Sequence, residues 1–392
     1  MSDRTRLAVV VWSVLVSQVL LYPGLSETVA ALGGGGALAE TWFLIAEFGA
    51  FVCFAVVWGA VSDALGVRSP LIVVGALGGA ASYTLVAFAP SLGVGFGVVL
   101  LLRVVGGVFG IGAFSLAITT LMDLAGGNGR NMGAAGTAIG LGAALGSVVG
   151  GQLATVGPLV PVYAGAAVLV AAALLAATVS DRGVGGGVPV GTVVERVRAQ
   201  PTLLVPFTFG YIDRLTAGFF ALTGVAYFRE TFGIGAALAG GTLALFFLPF
   251  ALLQYPVGAV SDRIGRFLPV VVGSVLYGLT IVAVVLAPTY PVAAGLMIVV
   301  GVCGALVSPT TLALVSDIVP ATERGAAMGG FNVFGSLGML SGFLIGGVVA
   351  TRYGYLTAFL VAGGLEVAIA VTAARPVRRI TRGGVDAVAG GD

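Results

Sequence analysis

Apolar residues in this chain come in long unbroken stretches, with polar residues confined to short gaps between them. The stretches fall at approximately 7–30, 41–62, 70–90, 94–122, 132–153, 158–179, 202–228, 236–260, 267–287, 291–316, 326–350 and 353–374. Each is close to the ~20 residues that a helix needs to cross a hydrocarbon core of roughly 30 Å. The pattern predicts an all-α integral membrane protein with about twelve transmembrane helices. The first stretch is longer than the apolar region of a signal peptide, and eleven more follow, so it is expected to stay as a span.

Composition agrees. The chain has 392 residues, 58% of them hydrophobic and 9% charged, and its mean hydropathy is +1.12. A soluble domain carries about 25% charged residues, so lipid must be the solvent for most of this surface. The 64 glycines suit helices that pack backbone to backbone in a membrane. All eighteen basic residues are Arg, with no Lys and no His. That excludes a Walker-type phosphate loop, a Schiff-base lysine, a Ser-His-Asp triad and a zinc-protease helix. No enzyme activity, cofactor or metal site is expected. Cys53 and Cys303 lie inside spans and read as small buried hydrophobes. A net charge of +2 argues against a nucleic-acid partner.

The arginines set the orientation. Arg4, Arg6, Arg68, Arg130, Arg182, Arg196, Arg198, Arg263, Arg266, Arg324, Arg375, Arg378, Arg379 and Arg382 fall on one side, and only Arg229 and Arg352 on the other. By the positive-inside rule both termini are expected in the cytoplasm. The longest polar stretch, 180–201, is rich in Gly and then charged, and reads as a cytoplasmic linker. It divides the chain into an N-terminal bundle, 1–179, and a C-terminal bundle with a basic tail, 202–392.

Three features recur in order across that linker. Gly59-Ala-Val-Ser-Asp63-Ala-Leu-Gly66 returns as Gly258-Ala-Val-Ser-Asp262-Arg263-Ile-Gly265, an offset of 199. Asp123 with Arg130 returns as Asp317 with Arg324, an offset of 194, and both are expected to form charge pairs on the cytoplasmic side. Gly142, Gly146 and Gly150 return as Gly338, Gly342 and Gly346, an offset of 196, and read as helix-packing glycines. Two pseudo-symmetric six-helix bundles of the same orientation, related by an axis along the membrane normal, satisfy all three.

These residues carry a resemblance. The loops Gly59–Arg68 and Gly258–Arg266 resemble the signature loop of the major facilitator superfamily (MFS), here of prokaryotic type. Arg103-x-x-x-Gly107 is similar to that family's intramembrane Arg motif. Gly142-x-x-x-Gly146-Ser147-x-x-Gly150-Gly151 resembles the fifth-helix motif of its exchangers. Ala64 stands where the family has Arg, and Ser147 where its drug–proton exchangers have Pro. The resemblance implies a gating role for Gly59, Asp63, Gly66, Arg68, Gly258, Asp262, Arg263, Gly265 and Arg266. Asp63 and Asp262 end descending helices whose own dipoles repel a carboxylate. The resemblance implies that each meets a helix N-terminus of the other half, the eleventh helix for Asp63 and the fifth for Asp262.

Charges within spans are costly and face an interior or a cavity. Arg103 shares a face with Gly106, Gly107 and Gly110. Asp213 and Arg214 are neighbours about 100° apart and are expected to point at different elements. Glu27 and Glu47, near the outer ends of the first two spans, read as solvated mouth residues, whereas Glu366 in the twelfth span has no evident role. Gln18, Tyr22, Tyr211, Arg103 and Arg214 are the candidate cavity residues. Asp213 is the candidate proton carrier, because desolvation disfavours its charge while a neighbouring Arg favours it. Phe219, Phe220, Phe246 and Phe247 suit an apolar substrate.

The expected function is secondary transport of a small organic solute or lipophilic compound by alternating access, coupled to protons and with a preference for efflux. The expected setting is the cell membrane, as a monomer in the lipid bilayer. An uptake symporter and a non-transporting membrane sensor of the same fold are the alternatives.

Overall fold

The computed structural model describes residues 1–36, 38–124, 128–181, 198, 200–319 and 324–389. Most of the 180–201 linker, and the side chains of Arg130 and Arg324, the expected partners of Asp123 and Asp317, lie outside the described residues.

Among the described residues all regular structure is helical. The helices are α1 (Asp3–Val19), α2 (Leu25–Ala31), α3 (Ala39–Leu65), α4 (Ser69–Phe88), α5 (Phe96–Met122), α6 (Asn128–Val156) and α7 (Val160–Ala176), followed by α8 (Leu204–Phe219), α9 (Val225–Phe232), α10 (Ala236–Ile264), α11 (Gly273–Val285), α12 (Tyr290–Ile318) and α13 (Arg324–Ala389). Eight of the described helices are long and apolar enough to cross a membrane. The sequence's first span appears as α1 and α2 with a break at 20–24. The seventh appears as α8 and α9 joined by a π-helical turn, Phe220–Gly224. α13 carries the eleventh and twelfth spans, which part at Gly354, where φ is +82°. That backbone conformation strains any residue with a Cβ.

Large apolar side chains stay exposed along these helices. Leu101, Leu174, Leu279 and Tyr255 are examples. On a water-soluble protein so many would form an aggregating surface; here they face lipid.

The chain divides into two compact units, residues 1–187 with 220–251, and residues 188–219 with 252–392. In the first unit α1 packs on α5, α6 and α7, while α4 packs on α5 and α7. In the second unit α8 packs on α12 and α13, while α11 packs on the same two. The scheme is the same with α8 in the place of α1, α12 in that of α5, and α11 in that of α4. The internal repeat of the sequence is thus a repeat of packing.

Glycine makes these approaches possible. A Cβ on Gly142 would stand 3.1 Å from the Trp12 carbonyl oxygen, and one on Gly146 3.3 Å from that of Val16. At Gly150 a Cβ would run into the Leu20 backbone. All three bring α6 onto α1. In the second unit Gly338 and Gly342 are just as closed against Tyr211 and Leu215 of α8. Gly346 lies further along the same helix, α13.

Candidate functional site

Four constellations collect the polar residues that the sequence marks out. The first is the pair of signature loops, one in each unit. α3 ends at Gly66 with φ +68°, and the equivalent turn after α10 is Gly265 with φ +85°. The left-handed residue reverses the chain tightly enough for the following Arg to turn back. Arg68 is buried and its guanidinium pairs with Asp123, at the end of α5. Its backbone N–H points at the Asp181 carboxylate, 3.3 Å away. In the second unit Arg266 Nε donates to Asp317, at the end of α12, at 3.1 Å, and Nη1 donates to Ser261 at 2.6 Å. Arg266 also pairs with Asp262 at 2.5 Å. Each loop Arg therefore ties its signature motif to the repeat's second aspartate. Among the described residues, Asp262 joins such a network and Asp63 shows no ion pair. Gly59 and Gly258 sit one turn before those aspartates, half-buried, and Arg263 is exposed.

The second constellation lies between α3, α4 and α5. Arg103 is 1% exposed and Glu47 2% exposed, and they form an ion pair. Tyr83 donates its hydroxyl to Glu47 Oε1 at 3.2 Å. The guanidinium lies 4.3 Å from the centroid of Phe43 and 5.1 Å from that of Tyr83, within cation–π range. Gly107, one turn beyond Arg103, explains the motif's spacing: a Cβ there would collide with the Glu47 carbonyl oxygen. Only with Gly107 bare can α3 come close enough for the carboxylate to reach the guanidinium. Glu47 is therefore not a solvated mouth residue, as its position near a span end suggests. Burial and the Arg103 counter-charge hold it in the bundle.

The third is a cavity of ≈ 540 Å³ in the first unit, lined in part by Tyr22, Glu27, Glu40, Leu222, Arg229 and Glu230. Glu27 and Arg229 form a two-pronged ion pair across it, with Nη1 to Oε2 at 2.7 Å. Glu40 accepts from Ser26 at its rim. Of the candidate cavity residues Tyr22 lines this space. Gln18, one turn earlier, is buried at 4% exposure.

The fourth surrounds Asp213 in the second unit. Asp213 is 4% exposed and faces Ser308 of α12. Arg214, on the next helical step, lays its stem against Gly335 of α13, where a glycine Cβ would stand 3.2 Å from its Cγ. The neighbours diverge as their spacing predicts, while Arg214 remains in electrostatic reach of Asp213. Thr216, Ser274, Tyr277, Cys303 and Glu366 complete a buried polar cluster. Sequence reasoning has no signal for this cluster, because its members come from four helices. Tyr211 is half-buried, with its carbonyl under Gly338. Phe219 stacks edge-on against Phe359 at 4.8 Å, and Phe246 lies 5.9 Å from Phe220 and 4.6 Å from Phe247. All four candidate phenylalanines are buried in ring packing.

Comparison with known proteins agrees with this architecture. The family model described as Major Facilitator Superfamily matches residues 207–390. An uncharacterized MFS-type transporter of Methanocaldococcus jannaschii is 31% identical over 160 residues, covering 39% of this chain and 42% of that protein. The class G tetracycline resistance protein of Vibrio anguillarum is 27% identical over 310 residues, 74% of this chain and 75% of that one. The alignment to the archaeal relative thus spans less than half of its length. The crystal structure of the nucleoside transporter NupG superposes with a TM-score of 0.75 at 13% identity, covering 96% of this chain and 99% of that one. At that identity the likeness speaks for the fold alone. The C-terminal half of this multi-pass membrane protein thus matches the major facilitator superfamily, and the relatives and the fold are similar to that family's transporters along the chain.

Proposed function

We propose that the protein is a secondary active transporter that moves a small organic solute or lipophilic compound across the cell membrane by alternating access, driven by protons and in the direction of export. The observation that carries the reading is Asp213, a carboxylate buried in the middle of a helix that also contains a π turn. Burial opposes its charge, and Arg214 favours it. A change in either balance as the site opens to one side or the other would load and unload a proton. The π turn at Phe220–Gly224, a feature frequent at functional sites, supports movement at this point of the chain. Likeness to a tetracycline resistance protein supports export.

In this reading residues 1–179 and 202–392 act as two six-helix bundles joined by the cytoplasmic linker, with both termini in the cytoplasm and the monomer as the working unit. Arg103, Arg214, Gln18, Tyr22 and Tyr211 contribute to substrate handling, Arg103 through the charge that it shares with Glu47. The signature loops govern cytoplasmic opening.

Proteoliposomes enclosing a pH-sensitive dye test the proposal against a panel of lipophilic and small organic compounds. At least one compound is expected to move protons through the wild type. A compound that raises the protein's melting temperature yet moves neither protons nor itself across the membrane would favour a sensor instead.

A further inference from the structure

The transport reading leaves a buried carboxyl of the second unit unused. Glu366, in the twelfth span, is 0% exposed. It forms no ion pair among the described residues. Its Oε2 accepts from the Thr216 hydroxyl at 3.4 Å, while Oε1 has no hydrogen-bond partner. Ser274 is buried near enough to act on the carboxyl, and the hydroxyl of Tyr277, on the same helix, has no partner. The groups that face Glu366 are Asp213 and Thr216 from α8, Ser274 and Tyr277 from α11, and Cys303 from α12. None is a cation.

Packing holds the carboxyl there. α11 and α13 meet backbone to backbone, since a Cβ on Gly363 would stand 2.5 Å from the Gly278 carbonyl oxygen, and one on Gly278 3.1 Å from Glu366 Cβ. The side chain thus starts from a point of closest contact between helices. A carboxylate sealed in this way, with an orphan oxygen and another carboxyl in its field, would be an uncompensated buried charge. A carboxylic acid is not. Protonation removes the net charge, so a carboxyl buried beside Asp213 and away from any facing cation no longer stands as an uncompensated ion. Asp213 differs, because Arg214 compensates its charge. Thr216 lies one turn from Asp213 on the same helix and bonds Glu366, which links the two carboxyls.

We propose that Glu366 is a second proton-binding group, paired with Asp213 across Thr216, and that the pair holds one proton in this conformation, on Glu366. The inference rests on the reading of Asp213 as the proton carrier. When Asp213 takes up a proton its negative charge disappears, Glu366 no longer feels it, and the Glu366 O–H can ionise. The Asp213 O–H forms as the Glu366 O–H breaks, and the proton that Glu366 releases passes to water on the side to which the site then opens, so the buried cluster keeps the same net charge. The twelfth span then takes part in coupling rather than serving as a lipid-facing wall.

Infrared difference spectroscopy of the full chain in nanodiscs, titrated with pH, tests the pairing without any flux measurement. The wild type should show the C=O stretch of a buried carboxylic acid at neutral pH, and Glu366→Gln should lose it. In Asp213→Asn that band should remain and vanish at a pH lower by about one unit or more, because the neighbouring charge is gone. A band that survives in Glu366→Gln would overturn the proposal. So would a Glu366 band whose titration is indifferent to Asp213→Asn, and this second comparison stands even if Glu366→Gln does not fold. A transporter that fails the flux assay yet shows the coupled band would lose the transport reading and keep the pair.

Discussion

Arg103 and Glu47 form an ion pair between α5 and α3, 56 positions apart in sequence, and the bare backbone of Gly107 is what lets them meet. Phe43 and Tyr83 close over the guanidinium, so that neither charge faces lipid. Removing one partner of such a pair strands the other. Glu47→Gln or Arg103→Met is expected to cost about 3–5 kcal/mol of stability. The double variant should recover much of that loss. Melting temperatures in detergent check it, and additive losses would show that the pair is not coupled.

Gly107 gives a separate test of packing. Gly107→Ala places a methyl group against the Glu47 carbonyl and should destabilise by about 1–3 kcal/mol through overpacking. Gly97→Ala, on the same helix with nothing within 4 Å of its Cβ position, should be neutral or slightly stabilising. Equal melting temperatures for the two variants would remove the close-approach argument.

The two signature loops differ in one respect that can be measured. Arg266 bridges Asp262 and Asp317, whereas Arg68 holds Asp123. Asp262→Asn should therefore reduce transport and increase labelling of cysteines placed in the cytoplasmic half of the cavity. Asp63→Asn should do less. Transport by both variants at the wild-type rate would remove the gating role of these loops.

The arginine asymmetry predicts that the linker and both termini face the cytoplasm. Cysteines at Gly186 in the linker and at Gly35 in the loop after α2 are expected to react with a membrane-impermeant maleimide from opposite faces. Gly35 is exposed, with nothing within 4 Å of an added Cβ, so the label does not disturb packing. Reaction of both from outside intact cells would invert the assigned orientation.

Asp213→Asn separates coupling from scaffolding. If Asp213 carries the proton, the variant folds and binds substrate but loses transport driven by a pH gradient. If its contacts with Ser308 and Arg214 are only structural, stability falls and the folded fraction still responds to the gradient. Counterflow without a pH gradient should persist in the coupled case, which distinguishes a lost proton site from a broken protein.

Much of the architecture is legible in the residues themselves, because a membrane leaves a chain few options. Every backbone polar group must be bonded within its own helix, so spans announce themselves as long apolar runs. Recurring loop and glycine motifs then reveal the repeat, and Arg103-x-x-x-Gly107 and the loop aspartates are visible as charges where charge is costly. Tertiary structure alone decided which of those charges meet. Glu47 reads from its position as a mouth residue, yet the rotation of α3 against α5 turns it inward to Arg103. Glu366 looks isolated on its own helix, and finds Thr216, 150 positions away, only when α13 packs on α8 and α11. The physical reason is the same in both cases. Hydropathy records whether a segment prefers lipid to water, but the partner of a buried charge depends on helix rotation and on how closely two backbones approach, and contacts between distant residues set both.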